Sequence, residues 1–388
     1  MYKNSNPHFW EGRIHIPYNN DIGLVEAVAA IGLKNDIFFY FAPSPELSGT
    51  GRRLPNYALF FEDNKFSTEK FEKHMLQFLM LCKEKGFRTN LLLNNVLLGM
   101  PYSNADLKEK IPKIQRYLEE MDKQDLVSLI TIGNPYLLEL LNLKKLKNIK
   151  IKTSVNLQIK SEKSVDMLNV LAKTFYSGNI EEVEIQKDLL RNIPLLKKIR
   201  ERLDPKTKLS ILINEGCLKD CPYQQAHQIH SCNFPTDQLP EYDKDFKFGI
   251  AKCKYVTVIE KWRFLDANWI LPEQVDYYNG VVDSMKITGR DDPTQKIIET
   301  IKAFTQGQYN RNNILTIISL MKMEDWIFPF SLLPEDFDRV LFGEDIPNAY
   351  YMKLFEDIKQ YNESILKNVN IKLKGFSTNR LHEYEGVL

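Results

Sequence analysis

The spacing of apolar residues along this chain alternates between two periods. Runs at 12–19 (GRIHIPYN), 36–43, 88–95, 126–133, 149–159, 182–186, 208–216, 254–262 and 281–290 are short and rich in β-branched and aromatic residues, which predicts strands. Between most of them, apolar residues recur at helical spacing. The clearest helix is FSTEKFEKHMLQFLMLCKEKG (66–86), with Ser67 as N-cap, Glu69 in the first turn and Gly86 closing the end. Residues 161–175 and 189–203 read the same way, with Pro194 the one awkward residue. Repeated β-α-β connections predict a parallel sheet. About eight such units before residue 293 predict a closed TIM-like (β/α)8 barrel, an α/β fold. An open nucleotide-binding sheet would need a G-x-G-x-x-G turn after its first strand, and IPYNNDIG (16–23) does not supply one.

From residue 293 the pattern changes. PTQKIIETIKAFTQGQ (293–308) and YYMKLFEDIKQYNESILKN (350–368) read as amphipathic helices, separated by aromatic segments such as WIFPFSLLPEDF (326–337). The expected organisation is a barrel over 1–292 and a mainly helical extension over 293–388. The extension would cap the barrel or meet a protein partner.

Composition narrows the function classes. The chain has 388 residues, 43% of them hydrophobic, and a formal net charge of +1. That charge gives no global reason to expect nucleic acid as a partner. No run of about 18 uncharged apolar residues predicts a membrane span, and the N-terminus has no signal-like apolar core. The expectation is a cytoplasmic protein. Five cysteines in such a chain are too few for a disulfide scaffold, and in a reducing compartment clustered cysteines serve metal binding or chemistry.

Three of the five cysteines fall within NEGCLKDCPYQQAHQIHSC (214–232). Cys217, Cys221, Cys232 and Cys253 have three, ten and twenty residues between them. In the barrel reading Cys217 lies just past the seventh strand, on the C-terminal face where barrel active sites form. Zinc sites usually show two close cysteine pairs, and only one is present here. The uneven spacing suits a 4Fe–4S cluster bound by one thiolate per iron. Zinc stays open because His227 and His230 can replace a cysteine, and a set of unliganded thiols is the bland alternative. Cys82 lies among Phe78, Leu79 and Leu81 and reads as core.

Several residues near strand ends are candidates for chemistry. Glu215 and His227 are placed to transfer protons, with loop anchoring and simple packing as their structural alternatives. Arg290, ending MKITGR with Lys286, can meet an anionic group of the substrate. Arg52, in SGTGRR (48–53), sits on a glycine loop suited to the same task. Asn156 and Gln158 share one side of the fifth predicted strand and would face the barrel interior. Asn214 is a substrate contact or a turn former. No G-x-S-x-G elbow or H-E-x-x-H motif is present, so familiar hydrolytic equipment is missing.

LINEGCLKDCPYQQAH (212–227) resembles the NEGC…CP…H signature of the peptidase U32 family, the collagenase-like peptidases. EVEIQKDLLRNIPLLKKIRE (182–201) resembles that family's strand and acidic-x-x-Arg-Asn helix start. ANWILPEQVDYYNGVVDSMKITGR (267–290) resembles its W-I-x-P-E…Y…K-I-x-G-R segment. The likeness runs in order over roughly residues 12–290. It implies an α/β barrel, and a 4Fe–4S cluster on Cys217, Cys221, Cys232 and Cys253, although these stand closer together than in better-known members. It implies either peptide processing or a redox or group-transfer modification such as oxygen-independent hydroxylation. A non-catalytic protein, its loop stapled by metal, is the third reading.

Overall fold

The computed structural model describes residues 9–44, 57–62, 65–94, 104–176, 180–225, 256, 260–319 and 326–369. Eight parallel strands close into a barrel. They are β1 (Arg13–Pro17), β2 (Ile37–Phe41), β3 (Arg88–Leu93), β4 (Leu129–Ile132), β5 (Lys150–Thr153), β6 (Ile180–Glu184), β7 (Lys208–Leu212) and β8 (Ser284–Lys286). They follow chain order round the barrel, and β8 returns to β1 with Arg13 opposite Ser284 and His15 opposite Lys286. The expected (β/α)8 architecture is therefore the observed one.

Among the described residues the helices are α1 (Gly23–Ile31), α2 (Thr68–Glu84), α3 (Asn104–Lys123), α4 (Pro135–Leu140), α5 (Glu162–Thr174), α6 (Ile193–Arg202), α7 (Thr294–Gln306) and α8 (Asn348–Val369). α2 starts as its sequence predicts. The Ser67 hydroxyl accepts the Lys70 N–H, and Gly86 beyond the helix takes a φ of 75°. Pro194 is awkward only on paper. α6 begins at Ile193, so the proline occupies its first turn, where no N–H is needed, and Asn192 caps it by accepting from Leu195.

Two strand expectations shorten or fail. The run 149–159 stops being strand at Thr153, because the Ser154 side chain accepts the Asn156 N–H and folds Val155–Leu157 into a 3-10 turn. The run 254–262 supplies no strand in its described part, since Lys261–Phe264 forms another 3-10 turn. Trp262 serves packing instead, stacking on Tyr351 of α8.

α7 lies against α1 and β1, in the eighth helical position of the ring. α8 packs on the turns Lys261–Phe264 and Phe330–Leu332. The stretch between these helices reaches the barrel mouth. Ser319 N–H donates to Asn214 O at 2.8 Å and Gly216 N–H donates to Ser319 O at 2.9 Å.

Each barrel strand has two faces. Ile14, Ile16, Phe39, Leu91, Ile130, Ile151, Val183, Ile211 and Met285 join the helix side chains in one apolar core. The opposite face is polar to an unusual degree for a barrel lumen, which apolar branched residues ordinarily fill. Arg13, His15, Asn90, Thr131, Lys152, Glu182, Glu184, Ser210 and Lys286 are all buried there.

Candidate active site at the C-terminal mouth

The lumen holds a ladder of charges built from alternate residues of several strands. At its base Arg13 donates to Glu182 at 2.7 Å, to Asp36 at 2.9 Å and to Glu181 at 3.1 Å. His15 Nε2 lies 2.8 Å from the other Glu182 oxygen. Lys152 contacts Glu182, and reaches Ser210 Oγ at 2.6 Å and Glu184 at 3.0 Å. Lys286 faces both Glu184 oxygens at 3.2 Å and lies over the Tyr40 ring, 4.8 Å from its centre.

Burial would raise the carboxyl pKa values, but their partners outweigh it. His15, Lys152 and Arg13 hold Glu182 well below the ordinary glutamate value, and Lys286 and Lys152 hold Glu184 below it. His15 moves down, to about 4, chiefly because burial disfavours its charge, with Lys152 and Arg13 adding to this against the pull of Glu182. It is therefore neutral at neutral pH. Its hydrogen bonds select the tautomer. Thr131 Oγ1 donates to Asn90 Oδ1 at 2.8 Å, turning the Asn90 amide toward His15 Nδ1 at 3.4 Å, so Nε2 carries the proton given to Glu182.

Above the ladder, the chain leaving β7 builds the mouth. Asn214 bridges to Trp269 and Glu215 to Ser319. Asn214 Oδ1 accepts from Thr288 N at 2.7 Å and Thr288 Oγ1 at 3.2 Å, while Nδ2 donates to Ile317 O at 3.2 Å. Glu215 is buried, with Lys187 Nζ 3.8 Å from its carboxylate. Lys187 comes from the turn after β6, which Gln186 shapes by accepting the Asp188 N–H at 2.6 Å. Its ammonium also meets the Cys217 sulfur. Burial opposes the charge on Lys187, yet Glu215 and Cys217 outweigh it and raise its pKa. Asn268 fastens the same loop, donating through Nδ2 to Cys217 O at 3.2 Å and to Asp188 Oδ1 at 2.8 Å. Cys217 and Cys221 are both partly exposed and in no disulfide.

The predicted residues divide as follows. Glu215, Cys217, Cys221, Asn214, Lys286 and Arg290 all lie on segments that follow or end β7 and β8, at the C-terminal face. Arg290 follows Gly289, whose φ of 103° suits glycine alone, and whose position would put a Cβ 2.2 Å from Asp292 Oδ2. Its charge is felt by Lys286. Asn156 and Gln158 sit on the turn beyond β5 and not on a lumen-facing strand. Asn156 Nδ2 donates to Asn94 O at 3.3 Å and Gln158 is left-handed, with φ 54°. Cys82 is buried in the core, and burial pushes its thiol pKa up. Arg52, His227, Cys232 and Cys253 lie outside the described residues. Among the described residues no group of three or more His, Cys, Asp or Glu is arranged to hold a metal, and no helix is long and apolar enough to cross a membrane.

Sequence reasoning missed Arg13, His15, Lys152, Glu182, Glu184 and Lys187. A signal was present: R-I-H in β1, K-I-K in β5 and E-V-E in β6 put charges at alternate positions of strands that a parallel barrel buries on both faces.

The fold and this mouth define a (β/α)8-barrel protein with a buried charge ladder beneath a cysteine-bearing loop. No family model matches the chain. It is 24% identical over 282 residues to an uncharacterized protease of Methanocaldococcus jannaschii, MJ1657, covering 72% of this chain and 75% of that one. Among solved structures, the U32 peptidase Mk0906 aligns with a TM-score of 0.47 and 13% identity over 76% of this chain and 97% of its own. A Cellvibrio japonicus xylanase, a thermostable mutant of Xyn10A, aligns at 0.37 and 12% over 77% and 99%. The curated relative is named a protease, and the motifs of residues 12–290 resemble those of the peptidase U32 family.

Proposed function

We propose that the chain is a U32-type barrel enzyme of the cytoplasm that modifies its substrate at the C-terminal mouth by redox or group-transfer chemistry. A metal centre would be held by Cys217 and Cys221 with Cys232 and Cys253. The carrying observation is the contact between the Cys217 sulfur and the Lys187 ammonium at the barrel mouth. A neighbouring cation favours the thiolate, the form that ligates iron or zinc. Thiolates at these positions are the donor chemistry that a 4Fe–4S cluster or a zinc ion takes. A cluster on four thiolates supplies electrons or holds the loop. Proton transfer and substrate orientation then fall to neighbours: Glu215 beside Lys187, Arg290, and His227 in the following segment. Oxygen-independent hydroxylation fits that division of labour.

The test is anaerobic purification of the full chain with iron, zinc and acid-labile sulfide analysis and an absorption spectrum. Brown protein with iron and sulfide, lost in Cys217→Ser and Cys221→Ser but kept in Cys82→Ser, is expected. Colourless protein carrying stoichiometric zinc would exclude the cluster, and metal-free protein would exclude both centres. A second reading, a peptidase, is favoured by the relative named as a protease. Incubation with unstructured peptides, with and without chelator, tests it by the appearance of cleavage products. The helical extension, with α8, is the proposed surface for any protein partner.

A further inference from the structure

The motif reading treats Lys286 as one of two cations that bind substrate. The lumen gives it a different setting. Lys286 sits at the top of an unbroken series of buried ionisable groups: Glu184 at 3.2 Å, Lys152 at 3.0 Å from Glu184, then Glu182, then His15 at 2.8 Å from Glu182. Its side chain is 8% exposed, whereas those of Glu184, Lys152, Glu182 and His15 are at 0%. It is thus the member of this series that a molecule in the mouth can reach. We propose that Lys286 is a further acid–base group of the mouth beside Glu215, exchanging one proton with a substrate atom, and that Glu184, Lys152, Glu182 and His15 are positioning residues that fix its place and charge balance.

In the donating direction one Nζ–H bond breaks and a bond to the substrate's basic atom forms. The amine left behind keeps its contact with Glu184 and recovers a proton from water at the mouth. Groups on every packed element bear on this exchange. Glu184 of β6 favours the ammonium. Lys152 of β5 and Arg290 beyond β8 disfavour it, Tyr40 of β2 offers its ring, and His15 of β1 is neutral. Burial is the largest influence, and the net effect lowers the Lys286 pKa. The proposal deepens the reading of the mouth as an active site, but it does not depend on which metal the cysteines hold.

The experiment is competitive amine labelling of the full-length protein with acetic anhydride across a pH series, read by mass spectrometry at the peptide carrying Lys286. The expected result is labelling with a midpoint below the ordinary lysine value, ~10.4. Lys152→Met should move that midpoint up and Glu184→Gln should move it down, while Lys152→Arg, which keeps the charge, should leave it low. An ordinary midpoint in the unsubstituted protein overturns the proposal, as does the absence of labelling at every pH at which the protein is folded. These readouts need neither substrate nor metal. Metal-free protein with a low Lys286 midpoint would sink the cluster alone, and brown protein with an ordinary midpoint would sink this inference alone.

Discussion

Glu182 is touched by Arg13, His15 and Lys152 with no exposure to water. Two buried cations converge on one carboxylate, so deleting it leaves Lys152 with Glu184 and Arg13 with the partly exposed Asp36 and Glu181 as their remaining carboxylates. Glu182→Ala is expected to cost about 3–5 kcal/mol, the usual scale for breaking a buried ion pair from one side. Urea unfolding monitored by circular dichroism measures it, and a loss below about 1 kcal/mol would mean that water enters the lumen and screens these charges. Gly289→Ala strains a different point. The new methyl group would stand 2.2 Å from Asp292 Oδ2 and 2.6 Å from Ser319 Oγ, at a φ of 103°. Lower stability and a weakened Lys286 labelling response are expected together, because the residue joins β8 to Arg290. At this scale the cysteine loop was legible in the sequence, because thiols cluster visibly along the chain. The ladder was not, since Lys152, Glu182 and Lys286 stand far apart in sequence and meet only when the sheet closes.

At the scale of elements, one side chain ties the segment leaving β7 both to β8 and to the extension. Asn214 joins Thr288 beyond β8 to Ile317 of the extension through three hydrogen bonds. At about 1 kcal/mol net for each bond, Asn214→Ala should lose about 2–3 kcal/mol. Asn214→Asp keeps the acceptor for Thr288 but sets a buried carboxylate oxygen against Ile317 O, and should lose at least as much. Differential scanning calorimetry of the pair separates clamping from substrate contact, because a pure substrate contact would leave both melting temperatures unchanged. The strand order was legible because each parallel strand carries its own apolar run and each intervening helix its own period. Strand ends were less so. Ser154 stops β5 with a local hydrogen bond that alternation of apolar residues cannot reveal, so the pattern alone assigns Asn156 and Gln158 to the lumen. In the run 254–262, most of which lies outside the described residues, Trp262 packs on α8, a partner nearly a hundred residues away in sequence.

The whole molecule inherits a pH response from its lumen. Unfolded histidine takes up a proton near pH 6.5, but His15 in the folded barrel does so only near pH 4. Between those values the unfolded chain binds the extra proton, so acidification favours unfolding. The stability that His15 contributes is complete above its unfolded value and is lost as the pH falls through about 4. Half-buried His74 shifts in the same direction. Glu182 and Glu184, both depressed, add a second loss that begins only below the ordinary glutamate value, ~4.3. The barrel should therefore soften in two stages on acidification. The upper stage can be at most about 1.4 kcal/mol per pH unit for one proton. Urea midpoints measured from pH 7.5 to 3.5 should fall first between pH 6.5 and 4.5, and His15→Gln, whose amide can still donate to Glu182, should flatten that portion while leaving the steeper decline below it. A His15→Gln profile that keeps the upper slope would place the responsible proton elsewhere and would mean that the imidazole is already charged in the native lumen, with Glu182 as its counter-ion.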